Sequence, residues 1–596
     1  MNTNYCESLT EPTRRKTIEV RVGDIPLGGA NPLRIQTMAT ASTIDTDGAT
    51  LQCIAAARAG ADYMRLTTQG IREAANLANI VRALRERGIT MPLIADVHFN
   101  PAAAMEAAQH VEKVRINPGN FIDPRAKLQG ATYSDEEYNH DLQRIEDKLL
   151  PLIALCRQRN VAIRVGVNHG SLSDRIMSRH GDTPRGMVES AMEFLRIFNR
   201  QQFHAVVVSM KSSSTRTMVQ AVRMLVATMN AEDMAYPLHL GVTEAGDGEQ
   251  GRIKSAVGIG ALLADGLGDT IRVSLTEPPE AELPVARELA ALFEHRPPPN
   301  PPLPPAEHLP YNPYAYMRRP SLQWNGLIGE QRPPVVVERI NDDSPSEQAD
   351  VYLTADTRDD DTSTFRLKTI EQAMNGQPGA FVELQMQHLL SSEAVRWLQS
   401  SSEHVLVLGT SNTNGYAEQR AAFIKLAELG IHLPVIIHRH YEERSLPSLQ
   451  LRAAADIGPL LLDGLGDGIM ITAPNIGNAD LCATAFAILQ AAQVRISQTE
   501  YVACPGCGRT LYDLPGTLQR VRAATGHLKG LKIGIMGCIV NGPGEMADAH
   551  YGYVGAAKGR ISLYRGKKLV KPNIPEEQAI DELVVLIKAH GDWREP

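Results

Sequence analysis

The feature that most constrains the fold is a recurring pattern of short apolar runs separated by helix-forming segments. The segments between the runs are rich in Ala, Leu, Glu and Arg, and the one at 72–88 ends in glycine, a stop signal for helices. Alternating strands and helices predict parallel βαβ units, and eight units in about 290 residues match a (β/α)8 barrel. A doubly wound sheet is the alternative, but no GxGxxG follows the first run. The eight runs are LRIQTMAT (33–40), ADYMRLTT (61–68), MPLIADVHF (91–99), KVRINPGN (113–120), VAIRVGVN (161–168), AVVVSMKSS (205–213), LHLGVTEAG (238–246) and TIRVSLTE (270–277).

Each run after the first carries a charged residue in its interior or towards its C-terminal end. A barrel presents such residues at its C-terminal mouth, where active sites of this fold lie. Five cations at one mouth predict a pocket for a strongly anionic ligand such as a phosphate or diphosphate. The alternative is that these charges are solvated or pair with one another. The charged residues are Arg65, Asp96, Arg115, Arg164, Lys211, Glu244 and Arg272.

Uncharged polar residues lie on the same segments and are candidates for further hydrogen bonds to the ligand. Of the two carboxylates, Asp96 and Glu244 are each placed to act as an acid or a base. The alternative role for each carboxylate is a salt bridge that orients a neighbouring arginine. The polar residues are Asn117, Asn120, Asn168, Ser209 and Ser274.

A proline-rich linker and an internal repeat follow the barrel. Residues 297–305 read PPPNPPLPP, with seven prolines in nine positions, which predicts a stiff extended spacer. Further on, the motif DGLGD at 265 recurs at 463. A weaker sequence repeat aligns residues 82–99 with residues 424–441, at an offset of 342. The two repeats have different offsets, which means that the copy lacks part of the middle of the first barrel. We therefore expect the copy to be an incomplete barrel-like α/β domain.

The copy does not keep the charged residues of the first barrel. Arg272 is matched by Met470, Arg65 by Val407 and Asp96 by His438. Loss of the cations with retention of Gly, Pro and apolar positions favours a structural spacer over a second substrate site.

Composition narrows the function classes. A chain of 596 residues suggests three or four domains, and its net charge of −8 argues against a general nucleic-acid coat. No apolar run reaches the length of a membrane span, and MNTNYCESLTEPTRRKT lacks the apolar core of a secretory signal, so we expect a cytoplasmic protein. Of the seven cysteines, Cys6, Cys53, Cys156 and Cys482 are scattered, and an odd count spread this way does not resemble a disulfide framework.

Three of the cysteines lie near the C-terminal end, in Gly- and Pro-rich sequence. Cys504 and Cys507 form a Cys-x-x-Cys turn, and Cys538 follows the strand predicted at 531–536. Structural zinc needs four ligands, and His527 or His550 is a candidate for the fourth. A [4Fe–4S] cluster also takes four ligands, so three cysteines leave one iron for another group. The spacing alone leaves both metals open.

Several motifs together resemble one enzyme family. CPGCGR (504–509) and GCIVNGPGE (537–545) follow ADVHF, RINPGN, RVGVNHGS, VSMKSS and GVTEAG. This combination resembles the 4-hydroxy-3-methylbut-2-enyl diphosphate synthases, iron–sulfur enzymes of the non-mevalonate isoprenoid pathway. The resemblance covers 17–290 and 495–570, and the segment between them resembles the large, three-domain type of plants and some bacteria.

The resemblance implies a reaction and a set of site residues. It implies a [4Fe–4S] cluster held by Cys504, Cys507, Cys538 and Glu545. The implied reaction is a reductive ring opening of methylerythritol cyclodiphosphate with loss of water, using electrons from ferredoxin or flavodoxin. The resemblance implies Glu244 as the proton donor, and an oxygen ligand such as Glu545 is exchangeable for a substrate oxygen. The residues matching the substrate pocket are Arg65, Asp96, Arg115, Asn117, Arg164, Asn168, Ser209, Lys211, Glu244, Arg272 and Ser274.

These inferences give a predicted domain plan. We expect the barrel at 1–295, the linker at 296–335, the inserted spacer at 336–492 and an α+β cluster domain at 493–596. The sequence departs from the shorter family members by the insertion and by an extra loop at about 121–145. We expect the cluster domain to cover the barrel mouth of its own chain in a pseudo-dimeric monomer, with a homodimer as the alternative. We expect neither nucleic acid nor membrane as a partner.

Overall fold

The computed structural model describes residues 5–595 except 98, 123–132, 307–308, 341–344, 355–363, 378 and 540–541. Contacts divide the chain into two compact units. One unit contains 15–255, 267–290 and 498–596, so most of the N-terminal barrel and the C-terminal region belong together. The other contains 1–14, 256–266 and 291–497, which includes the inserted region.

The N-terminal region forms the predicted barrel, so the α/β class is confirmed. All eight apolar runs contain a strand, and neighbouring strands pair in parallel in the order β6-β5-β4-β3-β2-β1-β8-β7. A parallel bridge between Val208 and Leu238 joins β6 to the start of β7 and closes the barrel. The strands are β1 (Arg34–Met38), β2 (Tyr63–Thr68), β3 (Leu93–Val97), β4 (Lys113–Ile116), β5 (Ala162–Asn168), β6 (Val206–Lys211), β7 (His239–Leu240) and β8 (Thr270–Ile271).

Helices connect these strands, and side-chain caps fix where several of them begin. Asp45, Ser173, Thr183 and Ser214 each accept a hydrogen bond from a backbone N–H in the first turn that follows. These caps hold the loops at the C-terminal ends of the strands. The helices are α1 (Thr46–Arg58), α2 (Ile71–Arg85), α3 (Pro101–Ala107), α4 (Pro118–Phe121), α5 (Asp135–Arg159), α6 (Asp174–His180), α7 (Pro184–Arg200), α8 (Thr215–Ala231), α9 (Gly248–Ala264) and α10 (Pro279–Glu294).

The extra loop expected at 121–145 is partly wrong. Residues 123–132 lie outside the described residues, but α5 begins at Asp135. A capping box explains this start: Ser134 accepts from the N–H of Glu137, and the Glu137 carboxylate accepts from the N–H of Ser134. The second half of the predicted loop is therefore helix.

In the described part of the inserted region, seven parallel strands form a second barrel, one strand fewer than in the first. Its sheet closes through pairing of β15 with β9. The strands are β9 (Val335–Arg339), β10 (Val351–Thr354), β11 (Thr364–Lys368), β12 (Phe381–Leu384), β13 (Val405–Leu408), β14 (Val435–His440) and β15 (Gly468–Thr472). The helices are α11 (Ile370–Met374), α12 (Ser392–Ser400), α13 (Gly415–Glu428), α14 (Leu446–Leu462) and α15 (Asn478–Ala491), with a 3-10 helix at Met386–Leu390.

The repeated DGLGD motif has the same structural task in both barrels. Asp269 accepts from the N–H of Leu238 at 2.8 Å, and Asp467 accepts from the N–H of Val435 at 2.9 Å. These bonds tie the start of β7 to β8 and the start of β14 to β15. The weaker sequence repeat at offset 342 aligns β3 with β14. These two strands are not equivalent, because β14 takes the place of β7 in the second barrel.

The C-terminal region is an α+β layer. Its sheet has the order β16-β17-β18-β19-β20, parallel over the first three strands and antiparallel at the end. Helices α16 and α18 pack on the sheet around Leu518, Val521, Leu583 and Ile587. The elements are β16 (Glu500–Ala503), α16 (Leu514–Thr525), β17 (Lys532–Met536), α17 (Gly542–Glu545), β18 (Tyr551–Ala557), β19 (Arg560–Arg565), β20 (Lys568–Pro575), a 3-10 helix at Glu576–Gln578 and α18 (Ala579–Ala589).

Among the helices that the structure describes, none combines the length and the apolar character needed to cross a membrane.

Candidate active site

One cavity brings together nearly all of the predicted site residues. It lies between the C-terminal ends of the barrel strands and the cysteine loops of the C-terminal region, within one compact unit. Asn117 and Asn120 are the exceptions, because neither side chain lines the cavity. Asn117 Oδ1 instead caps α4 by accepting from the N–H of Gly119. The predicted residues that line the cavity are Arg65, Asp96, Arg115, Arg164, Asn168, Ser209, Lys211, Glu244, Arg272, Ser274, Cys504, Cys507, Cys538 and Glu545.

The C-terminal region covers the barrel mouth through direct contacts within the same chain. Thr276 Oγ1 donates to the carbonyl oxygen of Cys504 at 3.1 Å, and Ser213 Oγ donates to that of Glu545 at 3.2 Å. Away from the cavity, Lys254 on α9 forms an ion pair with Glu500 on β16 at 2.8 Å. Both cysteine loops therefore face the barrel strands of the same polypeptide.

Arg115 is held rigidly at the barrel mouth. Its guanidinium donates to Asp96 Oδ1 at 3.1 Å, to the carbonyl oxygen of Gly166 at 2.9 Å and to Asn168 Oδ1 at 2.9 Å. Gly166 makes room for this group, since a Cβ there would lie 2.4 Å from Arg115 Nε. The glycine of RVGVN thus permits the arginine to approach the strand.

Arg65 and Arg272 are positioned by a methionine and a glutamate that sequence reasoning missed. Both guanidinium groups contact Met38 Sδ, at 2.7 Å and 3.3 Å respectively. Arg272 also pairs with Glu282 at 3.0 Å. Burial lowers the pKa of Arg65 to about 10, and the carboxylate of Asp96 opposes this shift. The apolar run of β1 and the position of Glu282 on α10 gave no signal for these roles.

Arg164 and Lys211 carry charge that the protein does not fully compensate. Arg164 is 1% exposed, and its Nε and Nη1 have no hydrogen-bond partner among the described residues. Burial lowers the pKa of Lys211 well below its usual value, and the positive charges of Arg65 and Arg164 lower it further. Gly241 leaves space for the ammonium, since a Cβ there would lie 2.9 Å from Lys211 Nζ. An anion in this cavity would relieve both the repulsion and the missing hydrogen bonds.

Glu244 and Glu545 bring two carboxyl groups together at the boundary between barrel and C-terminal region. Burial raises the pKa of Glu244 well above its usual range, and the charge of Glu545 raises it further. Glu244 has φ +49°, a left-handed conformation that is rare outside glycine and that occurs at functional sites. Asn168 Nδ2 donates to Glu545 Oε1 at 2.7 Å, so one barrel amide links the Arg115 guanidinium to the Glu545 carboxylate.

The cysteine loops supply three thiols beside this carboxylate. Gly537 N–H donates to Cys504 Sγ at 3.3 Å, and Thr510 Oγ1 accepts from the N–H of Cys507 at 3.0 Å. Burial raises the pKa of the Cys504 thiol, and the neighbouring Cys507 raises it further. A metal centre held by these thiols would stabilise them as thiolates and so oppose the effect of burial.

The donor set fits an iron–sulfur cluster better than a single zinc ion. Among the described residues, no three His, Cys, Asp or Glu side chains lie close enough together to hold one metal ion. Neither histidine considered for zinc lines the cavity: His527 contacts the carbonyl oxygen of Arg594, and His550 Nδ1 accepts from the N–H of Lys532. A cluster is compatible with wider spacing, because each protein ligand binds a different iron atom.

Arg509 is a further cavity residue that sequence reasoning did not single out. It lies within the CPGCGR motif, and its guanidinium is 3.9 Å from Asp96 Oδ2. Burial alone would lower the pKa of Arg509, but the charges of Cys507 and Asp96 together outweigh burial. The pKa of Arg509 is therefore raised above its usual value. Its place two residues after Cys507 in a shared motif was the available signal.

Comparisons with known proteins agree with this arrangement. A family model described as the GcpE TIM-barrel domain matches residues 17–287, and one described as the GcpE protein C-terminal domain matches 500–589. The chain is 49% identical to the "4-hydroxy-3-methylbut-2-en-1-yl diphosphate synthase (flavodoxin)" of Parabacteroides distasonis, covering 97% of this chain and 98% of that protein. The Bacteroides fragilis protein of the same name is 48% identical, covering 98% and 97%. The protein so named in Akkermansia muciniphila is 44% identical and covers both chains completely. The chain therefore belongs to the family of iron–sulfur oxidoreductases named 4-hydroxy-3-methylbut-2-en-1-yl diphosphate synthase (flavodoxin).

Proposed function

We propose that the chain converts 2-C-methyl-D-erythritol 2,4-cyclodiphosphate to 4-hydroxy-3-methylbut-2-enyl diphosphate with electrons from reduced flavodoxin. Two electrons and two protons enter, a ring carbon–oxygen bond breaks, and one hydroxyl leaves as water. The observation that carries this proposal is the convergence of three cysteines, Glu545 and five barrel cations on one cavity.

The barrel residues bind and orient the diphosphate in this proposal. Arg164 and Lys211 offer buried positive charge, and Arg115 is already fixed by Asp96 and Asn168. Guanidinium groups match the paired oxygens of a diphosphate, and a preformed cation set avoids reorganisation when the substrate binds. Ser209 and Ser274 line the same cavity and supply neutral hydrogen bonds.

We assign the cluster ligands to Cys504, Cys507, Cys538 and Glu545. When bound, a [4Fe–4S] cluster would supply the electrons one at a time. Asn168 holds the Glu545 carboxylate by a hydrogen bond, so barrel and cluster loop are coupled through one pair of side chains. The cover provided by the C-terminal region limits the access of water to the substrate.

We assign proton donation to Glu244. Asp96 is the other barrel carboxylate in the cavity, but it is ion-paired with Arg115 at 3.1 Å. Glu244 faces the same cavity, and its Oε2 has no hydrogen-bond partner among the described residues. We therefore assign to Glu244 the transfer of a proton to the departing hydroxyl.

We propose that the inserted barrel is a spacer, since its counterpart of Arg272 is Met470 on β15. We also propose that one chain is sufficient for activity, because the cysteine loops contact the barrel of their own chain.

Anaerobic purification followed by iron, sulfide and zinc analysis tests the proposed cofactor. We expect a brown protein with four irons and four sulfides per chain. The same sample should form the diphosphate product from the cyclic substrate when reduced flavodoxin is added. A colourless protein with one zinc and no turnover would overturn the proposal and would favour a zinc-stapled phosphate-binding protein.

A further inference from the structure

A second cavity, of about 530 Å³, lies beside the Cys504–Cys507 loop. Pro505, Gly506 and Cys507 line both this cavity and the active-site cavity, so one loop separates the two. We call the second cavity the outer groove. Its lining residues are Thr40, Leu51, Gln52, Ala55, Glu277, Pro278, Pro279, Glu280, Pro505, Gly506, Cys507, Thr510, Tyr512, Asp513, Leu514 and Pro515.

Leu51 is an apolar residue of this groove that the fold does not bury. It is 66% exposed, whereas Ala49, Thr50, Cys53 and Ala56 form the buried face of α1. Prolines from α10 and from the start of α16 continue the apolar wall. Exposed apolar surface that borders a cavity marks a contact surface for a partner.

Three carboxylates line the outer groove, and they differ in their partners. Glu277 pairs with Arg252 at 2.8 Å, and Asp513 caps α16 by accepting from the N–H of Gly516. Glu280 is exposed, and no lysine or arginine is found among the described residues that line the groove. The groove is therefore suited to an apolar group on the partner and not to ion pairing with an acidic surface.

The Cys507 loop is rigidly connected to the helix that carries Leu51. Thr510 bonds both the N–H and the carbonyl oxygen of Cys507, at 3.0 and 2.9 Å. A Cβ at Gly508 would lie 3.0 Å from the carbonyl oxygen of Ala41, so the loop packs closely on the segment that follows β1. Gln52 on α1 accepts from the N–H groups of Thr40 and Ala41, each at 2.9 Å. A partner seated against Leu51 thus has a fixed position relative to Cys507.

We propose that the outer groove is the docking site of reduced flavodoxin, with the apolar edge of its flavin ring against Leu51. This inference rests on the proposed function, which requires that electrons reach a cluster held in part by Cys507. In each encounter the reduced flavin loses one electron and the cluster gains it, and no covalent bond forms or breaks. Two encounters supply one turnover. Small, transient interfaces of this kind are typical of electron-transfer partners.

The test compares two reductants on the full-length holoenzyme. Leu51→Glu places a charge in the groove, and Leu51→Ser is a milder variant of the same exposed position. Leu390→Glu is the matched control, because Leu390 is 61% exposed and does not line the groove. Steady-state turnover is measured with reduced flavodoxin and, separately, with dithionite-reduced methyl viologen.

We expect Leu51→Glu to raise the KM for flavodoxin about tenfold, as loss of a central contact typically does, with a smaller rise in Leu51→Ser. Turnover with methyl viologen should stay within about twofold of wild type in all three variants. An unchanged flavodoxin KM in Leu51→Glu, with viologen turnover intact, would overturn this inference alone. No wild-type turnover with either reductant would overturn the proposed function and this inference together.

Discussion

Asn168 on β5 donates its side-chain amide to the Glu545 carboxylate at 2.7 Å. The two residues are 377 positions apart in the chain, yet they join the barrel mouth to the loop that follows Cys538. Asn168 Oδ1 also accepts from Arg115, so one side chain orients a proposed substrate-binding cation and a proposed cluster ligand.

Replacing Asn168 by Ala should therefore lower kcat/KM for the cyclic diphosphate. A hydrogen bond to a charged group contributes about 1.5–3 kcal/mol, which corresponds to a loss of roughly 10- to 100-fold. Asn168→Asp should be at least as damaging, because it places a second carboxylate against Glu545. Asn31→Ala is the control, since Asn31 donates to Glu19 in an exposed pair. Activity of Asn168→Ala equal to that of the control would contradict the assigned role.

Most of the barrel could be predicted from the sequence, since each of the eight apolar runs contains a strand. The charged residues towards the ends of β2 to β6 could be placed because parallel strands bring their C-terminal ends to one mouth. The partners of those residues could not: Met38 and Glu282 reach Arg272 only through barrel closure, which spacing along the chain does not encode. The Ser134–Glu137 capping box was readable and would have placed the start of α5.

Because of His239 on β7, the stability of the folded protein should decrease as the pH is lowered. His239 is 1% exposed, and burial lowers its pKa well below the usual value, as do the charges of Arg164 and Lys211. The folded protein keeps the ring neutral, while the unfolded chain binds a proton below pH ~6.5. The stabilisation of the folded state is therefore complete above that pH and is progressively lost below it. Below that pH, the free energy of unfolding should fall by about 1.4 kcal/mol for each pH unit.

Thermal unfolding of the holoenzyme between pH 7.5 and 5.5 checks this prediction. His239→Gln should show a shallower fall in Tm than wild type, whereas His140→Gln, at an exposed position of α5, should follow wild type. Parallel curves for wild type and His239→Gln would show that this histidine does not set the slope.

Arg420 should be required for stability. It is fully buried on α13 and pairs with Asp265 at 2.9 Å and Asp463 at 3.4 Å, the first residues of the two DGLGD motifs. Arg420→Met leaves both carboxylates without this partner, and breaking a buried ion pair costs about 3–5 kcal/mol. Chemical denaturation should report this loss, while Arg396→Met, at an exposed site, should change stability by less than about 0.5 kcal/mol.

Chains with complementary defects should not restore each other. A Lys211→Ala chain lacks a barrel cation, and a Cys538→Ser chain lacks a proposed cluster ligand. Because the cysteine loops contact their own barrel, a co-expressed mixture should have only the summed activity of the two variants. Activity well above that sum would mean that the C-terminal region of one chain serves the barrel of another.

Glu545→Cys should separate cluster binding from turnover. A thiolate is a softer ligand than a carboxylate and binds iron more tightly, so the variant should retain iron and sulfide. It also loses the oxygen that accepts from Asn168. In the proposed ligand set, the change replaces an exchangeable carboxylate by a firmly held thiolate. We expect kcat to fall about 10- to 100-fold, the range typical of changes around metal sites. Glu577→Cys, at an exposed position of the 3-10 helix before α18, is the control for an added thiol. Wild-type turnover in Glu545→Cys would mean that catalysis does not need an oxygen ligand at this position.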